Sequence, residues 1–502
     1  NWSPDQSSSG LQTKAQVSID NARGGYIKFP YPLREVQAKI NATNDQIEIT
    51  SLNAIGPDGN PLIVTGFIDG IGKDAGVQLE VIANIITVNS DLINALPRET
   101  KEAVWKLFDQ EAYRRLLESG MLTDLEPTNL FGMGALTFSV NRDRGEDRPV
   151  IVEGELVLDN VGTVFDQFPY PMKAESGTII VKDESIILKH PGIHLRTPAG
   201  GKGIISGRID IPRNDGDGRS LQPFIDLDIT SDAINPALLA AIPPGGNDQG
   251  ITTAATTPGW PGETIAESMR SIQEIGLTGV IDWNAQIENN EEGKTTVNTF
   301  VDLLQGQIKM AEQTTPQTRL GKAWPKGLVL TQCTGEVISG PGYTAVRDFQ
   351  GEQGQGQIVM RGDYIENDDV LSSNLEFTNL DIDEWMIELF SHSTQKSAAE
   401  IFSTLNPKGA LKGTLKWTEQ GDSENLVVNI QPNDVLFTAN GKNQTLIPTS
   451  GTVELEDGIL TLENIALRTD QDESLVLLDG KVAFIETPEE AFRLAKLIED
   501  DS

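Results

Sequence analysis

Histidine, cysteine, aromatic side chains and positive charge are all scarce in this sequence, and each shortage closes off some chemistry. Only three histidines occur among 502 residues, His190, His194 and His392, which leaves little for a network of general bases and, for a metal, only His190 and His194 sharing an ion with a carboxylate. The single cysteine, Cys333, leaves no partner for an intrachain disulfide. Aromatics amount to 6%, which disfavours the aromatic-lined cleft of a carbohydrate-active enzyme. Lysine and arginine number 39 against 74 acidic residues, a net charge of −35. Such a surface repels phosphate backbones and anionic headgroups, so nucleic acid is not an expected partner and the body of the protein is not expected to lie flat on an acidic membrane. No apolar run approaches the roughly 20 residues of a spanning helix. Apolar residues still make up 38% of the chain, enough for a packed interior.

The motifs that could carry catalysis or bind a metal each read as structural. His190 and His194 flank Pro191-Gly192 and read as exposed loop histidines beside a turn. His392 lies between two serines with no strand-turn-helix setting around it. Asn214-Asp215-Gly216-Asp217-Gly218 lacks the spaced carboxylates and closing glutamate of a calcium loop and reads as a hairpin turn. Gly351 to Gly356 lacks the lysine of a phosphate loop and reads as a hairpin tip. Arg361-Gly362-Asp363 reads as a turn abutting the strand Gln357 to Met360. Asp183-Glu184 and Asp368-Asp369 read as solvated turn charges. No cofactor or metal is expected, and the chain is not expected to be an enzyme.

What the sequence does contain is an internal repeat. Val17-Ser18-Ile19-Asp20-Asn21-Ala22, six residues, then Phe29-Pro30-Tyr31-Pro32-Leu33 is matched by Leu156-Val157-Leu158-Asp159-Asn160-Val161, six residues, then Phe168-Pro169-Tyr170-Pro171-Met172. The offset from Phe29 to Phe168 is 139 residues throughout, without a gap, and such self-similarity marks a repeat architecture. Ser185-Ile186-Ile187-Leu188 continues the match to Gln46-Ile47-Glu48-Ile49, and Leu277 to Trp283 matches Leu411 to Trp417.

Between these landmarks lie short alternating apolar runs with turn residues, such as Ile47 to Leu52, Asp58-Gly59-Asn60 and Leu62 to Ile68. This pattern predicts antiparallel strands with one apolar and one wet face. The strongest helical spacing covers Glu99 to Glu118, with Trp105, Leu107 and Phe108 placed to cap or plug the sheet. Shorter helices are expected over Glu263 to Ile275, Asp383 to Phe390, Ser397 to Leu405 and Pro488 to Leu497, and Pro244 to Gly262 reads as a loop. The expected organisation is a linker over 1–14 and four units of about 140 residues, 15–131, 132–262, 263–394 and 395–502. Asn1 to Gly10 is polar and begins without methionine, so the chain reads as a mature region or fragment.

The recurring order of a glycine-led strand, a polar turn, an apolar alternating strand and a return strand ending near glycine, as in Ser176 to Ile209 and Ser450 to Val482, resembles the AsmA-like family of bacterial envelope proteins, the TamB and YhdP type. Asn406-Pro407-Lys408-Gly409 entering a strand is a further point of likeness. The resemblance implies a mainly β fold with interspersed helices, an elongated repetitive antiparallel β-sheet curled into an open groove. It also implies a periplasmic location with an inner-membrane anchor upstream of this segment. The implied function is non-catalytic, with phospholipid or another acyl-chain lipid carried between inner-membrane and outer-membrane components in support of outer-membrane biogenesis. Positions equivalent between copies, Ile47, Ile49, Ile186, Leu188, Leu460 and Leu462, are the candidates to line the groove. The competing expectation is a structural or adhesive β-repeat with closed sheets that binds protein or polysaccharide, in which the same residues merely fill a core. Sheet closure separates the two.

Overall fold

Alternating β-branched and polar residues form strands because each second side chain can be buried while its neighbours stay hydrated. The computed structural model follows this rule along most of the residues it describes. It describes residues 14–483 except 27–28, 71, 97, 106, 121, 123–129, 146–147, 166–167, 183–184, 211–221, 242–274, 290–294, 310–328, 341, 366–369, 383–407, 421–422, 439–444, 457–458 and 470–474. The expected helices over 263–275 (but for Ile275), 383–390, 397–405 and 488–497, the 214–218 turn and His392 lie outside the described residues.

Two units are distinguished, residues 1–230 with 285–296 and residues 231–284 with 297–502. The first is built on β1 (Lys14–Tyr26), β2 (Phe29–Thr43), β3 (Gln46–Ile55), β4 (Pro61–Asp69), β5 (Gly76–Val88), β6 (Phe131–Arg142), β7 (Ile151–Phe165), β8 (Phe168–Lys182), β9 (Ser185–Arg196), β10 (Lys202–Asp210) and β11 (Gln222–Ala233). Helices α1 (Ser90–Ala95), α2 (Arg98–Trp105) and α3 (Gln110–Glu118) separate β5 from β6, and α4 (Pro236–Ala241) follows β11. Then come β12 (Leu277–Asn289), β13 (Thr295–Lys309), β14 (Val329–Gly340), β15 (Tyr343–Gln353), β16 (Gly356–Ile365), β17 (Val370–Asp381), β18 (Lys408–Gln420), β19 (Ser423–Thr438), β20 (Thr445–Glu456), β21 (Ile459–Thr469) and β22 (Leu475–Ala483).

Pairing runs from each strand to the next in sequence, β1 to β2 and onward to β11, and again from β13 to β22, antiparallel throughout. Among the described residues, β1 pairs within its unit only with β2, and β22 within its own only with β21. Among the described residues neither unit's sheet therefore closes on itself into a barrel, against the closed-sheet expectation.

The repeat is structural as well as textual. Strand β8 begins and ends 139 residues after β2, at Phe168 and Lys182 against Phe29 and Thr43. Asn21 and Asn160 both adopt φ 54° at matching points of β1 and β7, and the β1–β2 register slips between Ile19 and Ala22. Asparagine tolerates this left-handed conformation better than most residues, and the extra residue makes a bulge that bends and twists the strand. The device recurs in the second unit, where Asp348, Asn379 and Asn464 have positive φ inside register slips of β15, β17 and β21. Tyr31 and Tyr170, the tyrosines of the repeated motif, are both buried. The helix that closes each copy is capped alike: Asn89 Oδ1 accepts from Leu92 N at 3.1 Å, and Asn235 Oδ1 accepts from Leu238 N at 3.0 Å. Such caps satisfy backbone donors that the first turn leaves without a helical partner.

Three sequence expectations are corrected. The helix expected over Glu99 to Glu118 is two helices, α2 and α3, broken at Phe108, which forms a bridge with Val164 of β7. Asp109 then restarts the helix by accepting from Glu111 N and Ala112 N. Phe108 stacks on Phe131 with ring centroids 5.4 Å apart, and Trp105 meets the same ring edge-on at 6.4 Å, so these aromatics do cap the sheet. His190 and His194 lie within β9 rather than a loop, although both are exposed. Arg361-Gly362-Asp363 is not a turn but the middle of β16, with Arg361 paired to Asp348 at 2.7 Å and Asp363 to Arg347 at 2.7 Å. Gly354, at φ 59°, makes the expected hairpin tip between β15 and β16.

Candidate functional site

Residues directly opposite in an antiparallel pair share a face of the sheet, so register shows which side chains form a row across many strands. In the first unit one such row reads Ile19, Ala38, Leu52, Val64, Val81, Phe138, Gly154, Val181, Ile186, Ile209, Pro223. It crosses all of β1 to β11 without a polar residue. A second row, two residues along the strands, reads Val17, Ile40, Ile49, Gly66, Leu79, Val140, Val152. A third reads Ala15, Ala42, Ile47, Ile68, Val77 and then meets Arg142. On the other side of the first row lies Ala83, Leu136, Leu156, Ile179, Leu188, Gly207, Ile225. The opposite face is mixed and largely polar: one of its rows reads Gln16, Asn41, Glu48, Phe67, Gln78, Asn141, Ile151. Lys189 pairs with Glu155 there at 2.9 Å.

Burial along the apolar face is graded. At the end where the helices sit, α1 packs on β2 and β5, and α3 on β7 and β8. The residues beneath are closed off, with Tyr31, Ile86, Val88, Val161, Val164, Tyr170, Met172 and Ala174 all buried. Leu92 and Ile93 of α1, Phe108, and Ala112 and Leu116 of α3 are buried with them. Burying a large apolar side chain contributes about 1.5–3 kcal/mol, so this end is where the unit is held together. Towards the hairpin end, β2, β3, β4, β5, β7 and β8 leave Ile40, Ile49, Leu52, Val64, Leu79, Val81, Leu156 and Ile179 half-buried, while β6 and β9 keep Phe138, Val140 and Ile186 covered. Apolar surface left partly in water over so many adjacent strands is uncommon without a function.

The sequence-derived candidates fall on this face. Ile47 and Ile49 occupy its third and second rows and are half-buried. Leu188 stands in the row of Leu156 and Ile179 and is half-buried. Ile186 is in the longest row but is only 2% exposed, which makes it part of the packed floor. In the second unit, Leu460 takes the register position between Leu455 and Val482 in the row Phe349, Met360, Leu375, Leu415, Val428, Leu455, Leu460, Val482. Leu462 is half-buried in the parallel row Gly351, Ile358, Phe377, Gly413, Ile430, Val453, Leu462, Gly480. The two units thus present the same kind of row. Leu52, Val64, Val81, Leu136, Leu156 and Ile179 were not singled out from sequence, although the alternation of their strands carried the signal.

Glycine lets neighbouring backbones close up within these rows. A Cβ on Gly66, whose φ is 143°, would meet the Gln78 carbonyl oxygen, and one on Gly207, at φ 124°, would meet that of Phe224. Both positions are therefore reserved for glycine by backbone and space alike.

Titratable groups are peripheral to the apolar rows. Burial acts to raise the carboxyl of Asp58, but hydrogen bonds from Thr87 N at 2.7 Å and from Asn60 outweigh it and hold the group below the usual carboxylate range. Burial, with Asp58 and Asp91 nearby, raises the Tyr31 phenol well above its ordinary value. Burial also pushes the Cys333 thiol up to about 11. Among the described residues no group of three or more His, Cys, Asp or Glu is placed to hold a metal ion, and no helix is long and apolar enough to cross a membrane. What the arrangement offers is an extended apolar surface with a polar back. No family model matches the chain, and neither a curated protein nor a solved structure matches it significantly.

Proposed function

We propose that this chain is a non-catalytic lipid-binding protein of the bacterial periplasm, of the AsmA-like kind, that seats the acyl chains of phospholipid on its apolar sheet faces and conducts lipid between the inner and outer membranes. The observation that carries the reading is the eleven-residue apolar row across β1 to β11, several of whose members are half-buried. A methylene moved from water to such a surface gains about 0.8 kcal/mol, so two acyl chains are held without any directional contact. Rows of similar apolarity on successive strands give the lipid no single deep minimum, which favours sliding. Ile47, Ile49, Leu188, Leu460 and Leu462 are proposed to contact the chains, with Ile186 supporting the floor. Membrane components at either end are the proposed partners.

The test is to purify the 502-residue chain from bacterial cells without detergent and identify co-purifying lipid by native mass spectrometry. Near-stoichiometric phospholipid, lost in a folded double variant Ile49→Asp/Leu188→Asp, is the expected result. Lipid no higher than in a β-protein control of similar size would refute the reading.

A further inference from the structure

The apolar face of the first unit is asymmetric along the strands as well as across them. One end lies beneath α1, Phe108 and α3, with Tyr31, Val164 and Tyr170 buried under them. The other end stops at charged turns. Opposite Val77 the register places Arg142, whose guanidinium donates to the carbonyl oxygens of Lys73 at 2.7 Å, Gly145 at 3.1 Å and Arg148 at 3.2 Å. These bonds tie the β4–β5 turn to the β6–β7 turn. Arg144 pairs there with Asp69 at 3.6 Å, and Asp74 O accepts from Gly145 N at 2.9 Å. Along the strands the order is therefore covered apolar, half-buried apolar, then charges of both signs.

We infer that a bound lipid lies along the strands, with its methyl ends against the helix-covered edge and its headgroup at the charged turns, and that the helices thereby set the length of acyl chain the face accepts. The inference rests on the lipid-binding reading above. In β5 the half-buried positions are Val77, Leu79 and Val81, and the next inward residue, Ala83, is buried. From Val77 to Val81 these open positions span about 14 Å, at about 3.4 Å per residue. One leaflet of a bilayer contains about 15 Å of hydrocarbon, half of its roughly 30 Å core, so the open rows match the reach of a single membrane acyl chain. The match is to a lipid rather than a peptide, because the paired interior strands leave no backbone donors or acceptors for an added chain to use. A chain that leaves a bilayer for the face loses nothing for each methylene that finds a row. Each methylene beyond the wall must either enter water or stay bent, so two uncovered methylenes already lower retention about tenfold.

The experiment offers the purified full chain vesicles holding equal amounts of dilauroyl, dipalmitoyl and dibehenoyl phosphatidylglycerol, and counts retained lipid by native mass spectrometry. The expected result is retention of the dilauroyl and dipalmitoyl lipids, with the dibehenoyl lipid reduced at least tenfold relative to the dipalmitoyl. Val81→Trp combined with Leu156→Trp fills the innermost open rows and should move the cut-off below dipalmitoyl while dilauroyl is still retained. Equal retention of all three lipids by the unmodified chain overturns the length limit but leaves the lipid-binding reading intact. Retention of none overturns both. The unmodified chain alone decides between these outcomes if the tryptophan variant does not fold.

Discussion

Ile186 and Leu188 stand two residues apart on β9 and point to the same face, but should respond to aspartate to very different degrees. Ile186 is 2% exposed, between Val181 and Ile209 in its row. Replacing it forfeits about 2–3 kcal/mol of apolar burial. The new carboxyl must then be neutralised at pH 7, about three units above its ordinary pKa, at a cost of about 4 kcal/mol. The sum, about 6–7 kcal/mol, is comparable with the whole stability of an ordinary domain. Leu188 is half-buried, so its loss is nearer 1–1.5 kcal/mol, and its carboxylate can stay hydrated. With a urea slope of about 3 kcal/mol per molar, Leu188→Asp should lower the unfolding midpoint by about 0.5 M and keep native circular dichroism. Ile186→Asp should lower it by about 2 M or leave no cooperative transition. If both variants lose the same stability, Leu188 is as enclosed as Ile186 and the face is not open at that row. If Leu188→Asp stays folded and retains lipid, that row is not where acyl chains lie.

Three further predictions use other features. The Asp58 carboxyl is held below its unfolded value, so its contribution to stability is present above about pH 4 and is lost as pH falls through the lower folded value. Asp58→Asn should therefore flatten part of the acid limb of stability against pH, and an unchanged limb would contradict the Thr87 and Asn60 hydrogen bonds. Asn89→Ala and Asn235→Ala should each cost about 1 kcal/mol, measured by chemical denaturation, whereas serine at either site should recover most of it. Cys333 is buried, with its thiol pushed up to about 11, and should react with a maleimide at pH 7 at least a hundredfold more slowly in the native protein than in urea; fast native labelling would show that its strand opens.

Much of the β architecture was legible because alternation and turn chemistry are local. The 139-residue offset is also the offset between β2 and β8, although the alternation marked only part of each strand, and the repeated Asp-Asn pair contained the bulges without revealing them, since an asparagine in a strand reads as an ordinary polar position until its φ is known. The misreadings share one cause. Leu107 and Phe108 continue a helical spacing, and nothing nearby shows that Phe108 is drawn into a bridge with Val164, more than fifty residues away. Arg361-Gly362-Asp363 carries turn residues, but ladder pairing with neighbouring strands overrides that preference, and Pro191-Gly192 is taken up as a register slip between Leu188 and Ile193 within β9. The apolar rows were visible only as candidates, because the register that aligns Ile49 with Leu79 through Gly66 is set by pairing between strands.

Pairing each strand with its predecessor also bears on how the chain reaches its native state. Most of the ladders described close over a short stretch of sequence, β5–β6 and β17–β18 being the wider ones, and structures dominated by local closures form quickly. A chain that emerges from one end can zip one hairpin at a time, with the apolar rows lengthening by one residue per strand. The growing edge, rather than a completed core, is then the species exposed to misassociation. Gain or loss of whole hairpins would leave the register of the remaining strands unchanged, an evolutionary route by which one ancestral hairpin array could be lengthened.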